Sequence, residues 1–316
     1  MENLKIARNA IFYHVYKALH DFNVNVAEKL NYSPVNQDTA SDDDSWVLID
    51  DLVTVLQELP HEKRLDILIH ASKAFDISLV TDELNEENRP STLGQALNVL
   101  LPQIPYITSQ AKTWLSYGED QKWYICHDSG YSNKSIGKAD FDIYRNLQLI
   151  SFCKLYLGAD WEPDFIWVTG KVTPSLIQSR LDIQVIDEHS FSGFSIPLSE
   201  AIEPINDESD WSLSKSISLV LENYLLVENM SIHSFSRLIG MSSRTLQRRL
   251  QFEQISFRDL LLDSRLNHAI KQYNTNPKLS NEEIAFRCGY TDVSNFRRAF
   301  KKRFGVSFNH YATGKI

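Results

Sequence analysis

Two stretches, "SFSRLIGMSSRTLQRRL" (residues 234–250) and "EIAFRCGYTDVSNFRRAF" (residues 283–300), repeat one order of parts. Each starts with a short helical segment carrying a small residue, Ser236 or Ala285, four positions before a glycine, Gly240 or Gly289. A polar turn follows, then a helix rich in arginine. The glycines stand 49 positions apart. Ser280 and Glu283 predict a capping box at the start of the second unit. Phe296, Phe300 and Phe304 recur every fourth residue, a single helical stripe, with Arg297, Arg298, Lys301, Lys302 and Arg303 between them. One face of that helix is expected in a core and the other presents cations.

Helix, glycine-bearing turn and helix is the outline of a helix-turn-helix. The small residue lets two helices cross closely, and glycine accepts a backbone conformation costly for other residues. Leu246 and Leu250, or Phe296 and Phe300, are expected to anchor the second helix, leaving its opposite face for the major groove. That face carries Arg244, Gln247 and Arg248 in the first unit and Ser294, Asn295 and Arg298 in the second. Arginine pairs two-fold with guanine, and Gln or Asn with adenine. Ser243, Arg249, Arg297, Lys301, Lys302 and Arg303 are placed for phosphates, which position without reading sequence. Between the units, "SFRDLLLDSRLNHAIKQY" (residues 256–273) predicts about sixteen helical residues, a rod of roughly 24 Å.

"MSSRTLQRRL", "FRDLLLDSRLNHA", "EIAFRCGYTDVSNFRRAFKKRFGVS" and the closing Tyr311 together resemble the DNA-binding domain of AraC/XylS-family transcription regulators, over residues 211–316. The resemblance implies a seven-helix domain, promoter DNA and RNA polymerase as partners, and a bacterial, cytoplasmic setting. Phe308 departs from the pattern, which usually has proline there, so the last helix is expected to start differently. Upstream, "TLGQALNVL", "YRNLQLISFCKLYLGADWEPDFIWV" and "RLDIQVIDEHSFSGFSIPLSEAI" resemble the effector domain of the branch that includes regulators of ornithine use.

Charge divides the chain the same way. Residues 211–316 hold 16 Lys and Arg against 8 Asp and Glu, or +8; residues 1–210 hold 16 against 33, or −17. The basic part can attract a polyanion that the acidic part repels. The expected organisation is an effector-sensing or dimerising domain over 1–204, a linker over 205–212 within the polar, acidic "SEAIEPINDESDWS" (residues 199–212), and the DNA-binding domain over 213–316. Helices are expected over 4–19, 61–75, 92–101 and 141–157, with Pro60 and Ser91 at the starts of the second and third. Strands are expected at "KWYICH", "FIWVTG" and "LDIQVID", beginning at Lys122, Phe165 and Leu181. The fold class is an α+β N-terminal domain followed by an all-α domain of two helix-turn-helix units joined by a long helix. The first shows more helix than a cupin would.

Nothing in the pattern calls for an enzyme, metal or cofactor. "CHDSG" (residues 126–130) places Cys126 and His127 on opposite faces of a strand, and His61, Glu62 and His70 lack the H-E-x-x-H spacing. Cys126, Cys153 and Cys288 are scattered, which fits a reducing compartment. No apolar run is long enough for a membrane. Asp42 to Asp44 read as solvated loop. Trp114, Trp123, Tyr124 and Trp167 are the candidates for lining an effector pocket, and the −17 charge favours a cationic effector. The expected function is ligand-responsive activation of promoters, with a homodimer as a further expectation. The alternative is an N-terminal domain that only dimerises or binds a protein partner.

Overall fold

Alternation along "KTWLSY" sends Thr113 and Leu115 to one face of a strand and Trp114 to the other, and that strand edges the largest sheet. The computed structural model describes residues 4–25, 45–74, 84, 87, 89–109, 111–131, 137–198, 211–226 and 230–312. In chain order, β1 (Ile6–Arg8) leads through a 3-10 turn into α1 (Tyr13–Asp21). β2 (Trp46–Leu48) pairs antiparallel with β1, Ile6 opposite Leu48. Helices α2 (Ile49–Gln57), α3 (His61–Lys73) and α4 (Leu93–Gln103) follow. Then come β3 (Lys112–Tyr117), β4 (Trp123–Asp128), α5 (Lys138–Leu157), β5 (Phe165–Trp167), α6 (Pro174–Gln178), β6 (Gln184–Ile186) and β7 (Ser192–Ile196). The sheet order is β3-β4-β7-β5-β6, antiparallel except for the β5–β6 pair.

One face of this sheet (Leu115, Ile125, Ile166, Phe194) is closed by α4 and α5 through Leu97, Leu100, Ile143 and Ile150, and all eight are buried. The far side of α5 meets α1, α2 and α3 in a second cluster around Val15, Leu56, Leu68 and Tyr144. Several polar groups beneath the sheet are paired. Lys138 Nζ donates to Asp142 Oδ1 and to Thr169 Oγ1, each at 2.6 Å, and Thr169 N–H donates to Asp142 Oδ2 at 3.0 Å. Beside them His127 Nε2 lies 3.0 Å from Asn146 Oδ1.

Burial, reinforced by the Arg145 charge and only partly opposed by Asp142, pushes His127 down to about 3. Its folded value therefore lies below the unfolded one of about 6.5. Between those values the unfolded chain binds the extra proton, so the stability from neutral His127 is present above pH 6.5 and drains as pH falls. Asp51 acts oppositely. Burial lifts it to about 6, so its contribution grows as pH falls from 6 towards 4. In His127→Gln the fall in unfolding midpoint between pH 7 and 5 should be smaller than in the unsubstituted chain. Parallel pH profiles would remove His127 from the account.

The C-terminal region is helical throughout its described residues: α7 (Leu213–Leu221), α8 (Ile232–Leu238), α9 (Ser243–Phe252), α10 (Phe257–Thr275), α11 (Asn281–Arg287), α12 (Val293–Phe304) and α13 (Phe308–Ala312). The N-terminal region is thus α+β and the C-terminal region all-α. They share a core, because Leu4, Ile6 and Trp46 of the β1–β2 ribbon pack with Trp211, Leu213 and Ile217. Trp211 Nε1 also donates to the Pro105 carbonyl at 2.9 Å.

Several sequence expectations need correction. Residues 4–19 are not one helix; Ile6–Arg8 is a strand, too short to show alternation and paired with a strand some forty residues away. Thr92, not Ser91, caps α4, its side chain accepting from Gln95 N–H at 3.3 Å. Ser91 reaches the Gln95 side chain instead. Strands β3 and β7 and helix α2 are additions. Asp42 to Asp44 and residues 205–210 of the expected linker lie outside the described residues.

Candidate nucleic-acid interface

Both repeated units fold as helix, turn and helix, and local capping explains their boundaries. Ser231 and Ser234 form a capping box at α8, and Ser280 and Glu283 the predicted one at α11. Ser242 caps α9 by accepting from Thr245 N–H at 3.1 Å, and Asp292 caps α12 by accepting from Ser294 N–H at 2.8 Å. Gly240 and Gly289 sit at the turns with φ of +62° and +76°. Their demands differ. A side chain at Gly240 would meet nothing within 4 Å, whereas a Cβ at Gly289 would lie 2.1 Å from the Leu225 carbonyl oxygen. The first glycine is needed for its backbone alone, the second also for a close approach.

The small residues work as expected at the helix crossings. Ser236 and Ala285 are buried, and Ser236 Oγ lies 2.8 Å from Ser243 Oγ, which also meets His233 Nδ1 at 2.7 Å. Ser243, placed by sequence on the phosphate side, has its hydroxyl engaged within the first unit.

Each second helix turns one face inward. Leu246 and Leu250 of α9 enter a core with Val220, Leu221, Phe235, Phe257 and Leu260. Phe296 and Phe300 of α12 enter another with Leu266, Ala269, Ile284, Ala285 and Cys288. Phe304 ends the stripe partly in solvent, 36% exposed, against Phe300 and Tyr311. Phe308 begins α13 and fills the same core, its ring 5.1 Å from Phe296 and 5.0 Å from Phe300. A phenylalanine at this position extends the aromatic cluster.

Helix α10 belongs to both cores. Phe257 and Leu260 pack in the first, Leu266 and Ala269 in the second. Its 19 residues make a rod of about 28 Å, close to the roughly 34 Å of one DNA turn. One rigid element therefore fixes α9 and α12 relative to each other.

On their outer faces Arg244, Gln247 and Arg248, and Ser294, Asn295 and Arg298, are all exposed. Arg298 Nη2 donates to Asn295 Oδ1 at 2.6 Å, which ties two of the base-reading candidates together. The cations expected at phosphates fall into two kinds. Arg297 faces Glu282 at 3.4 Å and Arg303 faces Asp263 at 2.8 Å, so each must trade a carboxylate for a phosphate. Lys301 and Lys302 are exposed and have no ion pair among the described residues. Arg249 is half-buried beside Glu253, whose carboxyl lies below its usual range; burial alone would raise it, and hydrogen bonds from Ser214 and Leu213 outweigh that.

The four effector candidates do not form one site. Trp114, Tyr124 and Trp167 share the sheet face away from α5, with Tyr124 stacked on Trp167 at 4.8 Å and Trp167 on His189 at 4.5 Å. Trp123 sits on the opposite face, at the edge of the main core. Cys126 and His127 likewise point to opposite faces, both buried.

A family described as "Helix-turn-helix domain" matches residues 235–314. The "Uncharacterized HTH-type transcriptional regulator Rv1395" of Mycobacterium tuberculosis is 34% identical over 101 residues, 31% of this chain and 29% of that protein. The "HTH-type transcriptional regulator YdeO" of Escherichia coli K12 is 37% identical over 67 residues, 21% of this chain and 26% of that one. The chain thus spans less than a third of the length of each. The crystal structure of the transcriptional regulator CdpR from Pseudomonas aeruginosa aligns over 96% of this chain and 98% of its own, at 15% identity and a TM-score of 0.45. Among the described residues no helix is long and apolar enough to cross a membrane.

Proposed function

We propose that this chain, whose residues 235–314 form an AraC-type helix-turn-helix domain, is a sequence-specific transcription regulator that reads promoter DNA with both units at once. The observation that carries this is α10, which enters both cores and holds two arginine-bearing helices on one support. Arg244, Gln247 and Arg248 read one groove segment, and Ser294, Asn295 and Arg298 the next. Lys301 and Lys302 hold phosphates from the start; Arg297 and Arg303 join after leaving Glu282 and Asp263. Bound beside a promoter, the protein activates RNA polymerase in the cytoplasm, and the N-terminal region responds to a small molecule. The shared core of the β1–β2 ribbon and α7 supports such a route, since a change in the first region bears directly on the second. Homodimerisation through the N-terminal region fits the same scheme.

Affinity measurements on a bound promoter duplex at several salt concentrations test the division of labour. Arg298→Ala should cost roughly 1–3 kcal/mol and relax base preference at one position. Lys302→Ala should weaken all duplexes alike and reduce the salt slope by about one. Unchanged affinity and preference in both would remove α12 from the DNA.

A further inference from the structure

We propose that the cavity between α4, α5 and β3 binds a small apolar monocarboxylate, its carboxylate on Arg145 and its tail along Leu100, Ile104, Leu149 and Phe152. The cavity measures about 60 Å³, roughly four times the space that one water needs, and it opens to solvent at its mouth. Its wall is mostly aliphatic and aromatic, interrupted by Arg145, Gln148 and threonine hydroxyls. Two buried cations nearby each have a carboxylate: Lys138 has Asp142 at 2.6 Å, and Arg64 has Asp140 at 2.6 Å. Arg145, which is half-buried, has none. Its Nη1 is buried without a hydrogen-bond partner, and no ion pair reaches the guanidinium among the described residues. Thr113, 9% exposed, also turns an unpartnered Oγ1 towards this space.

A buried charge without a partner is strongly unfavourable, and nearby Asp142 is already held by Lys138 and Thr169. Burial weakens the hold of the Arg145 guanidinium on its proton, with Asp142, Tyr144 and Asp128 opposing only in part and none of them in an ion pair with it. A ligand carboxylate supplies the missing anion in the bidentate geometry that arginine favours. An amine would be repelled, and a sugar would leave most of its hydroxyls against hydrocarbon. The acidic net charge of the N-terminal region, read from sequence as favouring a cation, does not describe this interior.

The cavity also touches the ribbon. Ile107 and Thr108 line it; the Ile107 carbonyl accepts from Arg8 N–H at 2.8 Å, and Thr108 bridges Ala7 of β1. β1 in turn packs on α7. Use of the site to control DNA binding rests on the regulatory reading above; binding itself does not.

Octanoate, octanol and octylamine, titrated into the full chain and followed by calorimetry and thermal unfolding, separate the classes without any substitution. Octanoate at a hundred times its dissociation constant should raise the unfolding midpoint by roughly 5–10 °C, and the alcohol and amine should not. Arg145→Met, which removes the unpaired charge and keeps an extended side chain, should weaken octanoate roughly 10- to 100-fold. Trp167→Ala should leave octanoate binding unchanged. No octanoate binding, equal binding of the three probes, or full affinity in folded Arg145→Met would each overturn the proposal. Duplex affinity with and without octanoate separates the two readings. Arg145-dependent binding that leaves DNA affinity constant keeps the site and removes its regulatory use. If instead another metabolite controls DNA binding equally well in Arg145→Met, and octanoate does not bind, the site falls and the regulatory reading stands.

Discussion

Asp142→Asn is expected to destabilise the protein by about 3–5 kcal/mol. Asp142 accepts from the Lys138 ammonium at 2.6 Å and from Thr169 N–H and Oγ1–H at 3.0 and 2.7 Å. The side chains of Lys138 and Asp142 are 1% and 0% exposed, so the substitution leaves an ammonium with neither anion nor water. Burial by itself would raise the carboxyl, but the Lys138 charge and the bonds from Lys138 and Thr169 leave it below its ordinary range. Its folded value is depressed, so the stability it supplies is present above about pH 4 and lost as pH falls further. An exposed pair gives the contrast. Arg180 meets Asp66 at 2.5 Å with side chains 21% and 38% exposed, and Asp66→Asn should cost no more than about 1 kcal/mol. Urea unfolding followed by tryptophan fluorescence compares the two. Equal losses would mean that the Lys138–Asp142 pair is solvated after all.

Phe300→Ala should cost a similar amount, about 3–5 kcal/mol. Phe300 is fully buried, and its ring lies 6.0 Å from Phe296, 5.0 Å from Phe308 and 5.6 Å from Tyr311. Removing it empties the centre of the second unit and unseats α12, so DNA affinity should fall with stability. Phe304→Ala, at a ring 36% exposed, should cost clearly less despite the same spacing. Thermal unfolding of the two variants decides the matter. If they lose the same amount, the stripe of phenylalanines is not the anchor assigned to it.

That stripe also shows what a sequence can convey. Contacts three and four residues apart, capping boxes and turn glycines are local, so the two units, the long α10 and the outward arginines could be read directly. The exposure of Phe304 was not, because it depends on where α12 passes the end of its core. β1 and β2 are three residues each and find each other across a long separation, which no periodicity reports. The aromatics of the N-terminal region stood out by composition, yet only register assigns faces. Trp114 lies opposite Cys126 and Tyr124 opposite Ser195, which places Trp114, Tyr124 and Trp167 on one side and Trp123 on the other. Arg145 and Gln148 are two long polar side chains three apart on a helix that carries several other polar residues, so nothing local marked them out, and the cavity they line exists only once α4 and β3 close over them.

Selection of bound duplexes from a random pool, with the full chain as the binder, tests the central claim most directly. Two blocks of preferred bases should emerge, about 10–11 base pairs apart from centre to centre. Arg248→Ala should blur one block and Arg298→Ala the other, leaving the spacing intact. A single block, or two blocks at no fixed separation, would contradict an account in which α10 holds both reading helices to adjacent turns of the same duplex.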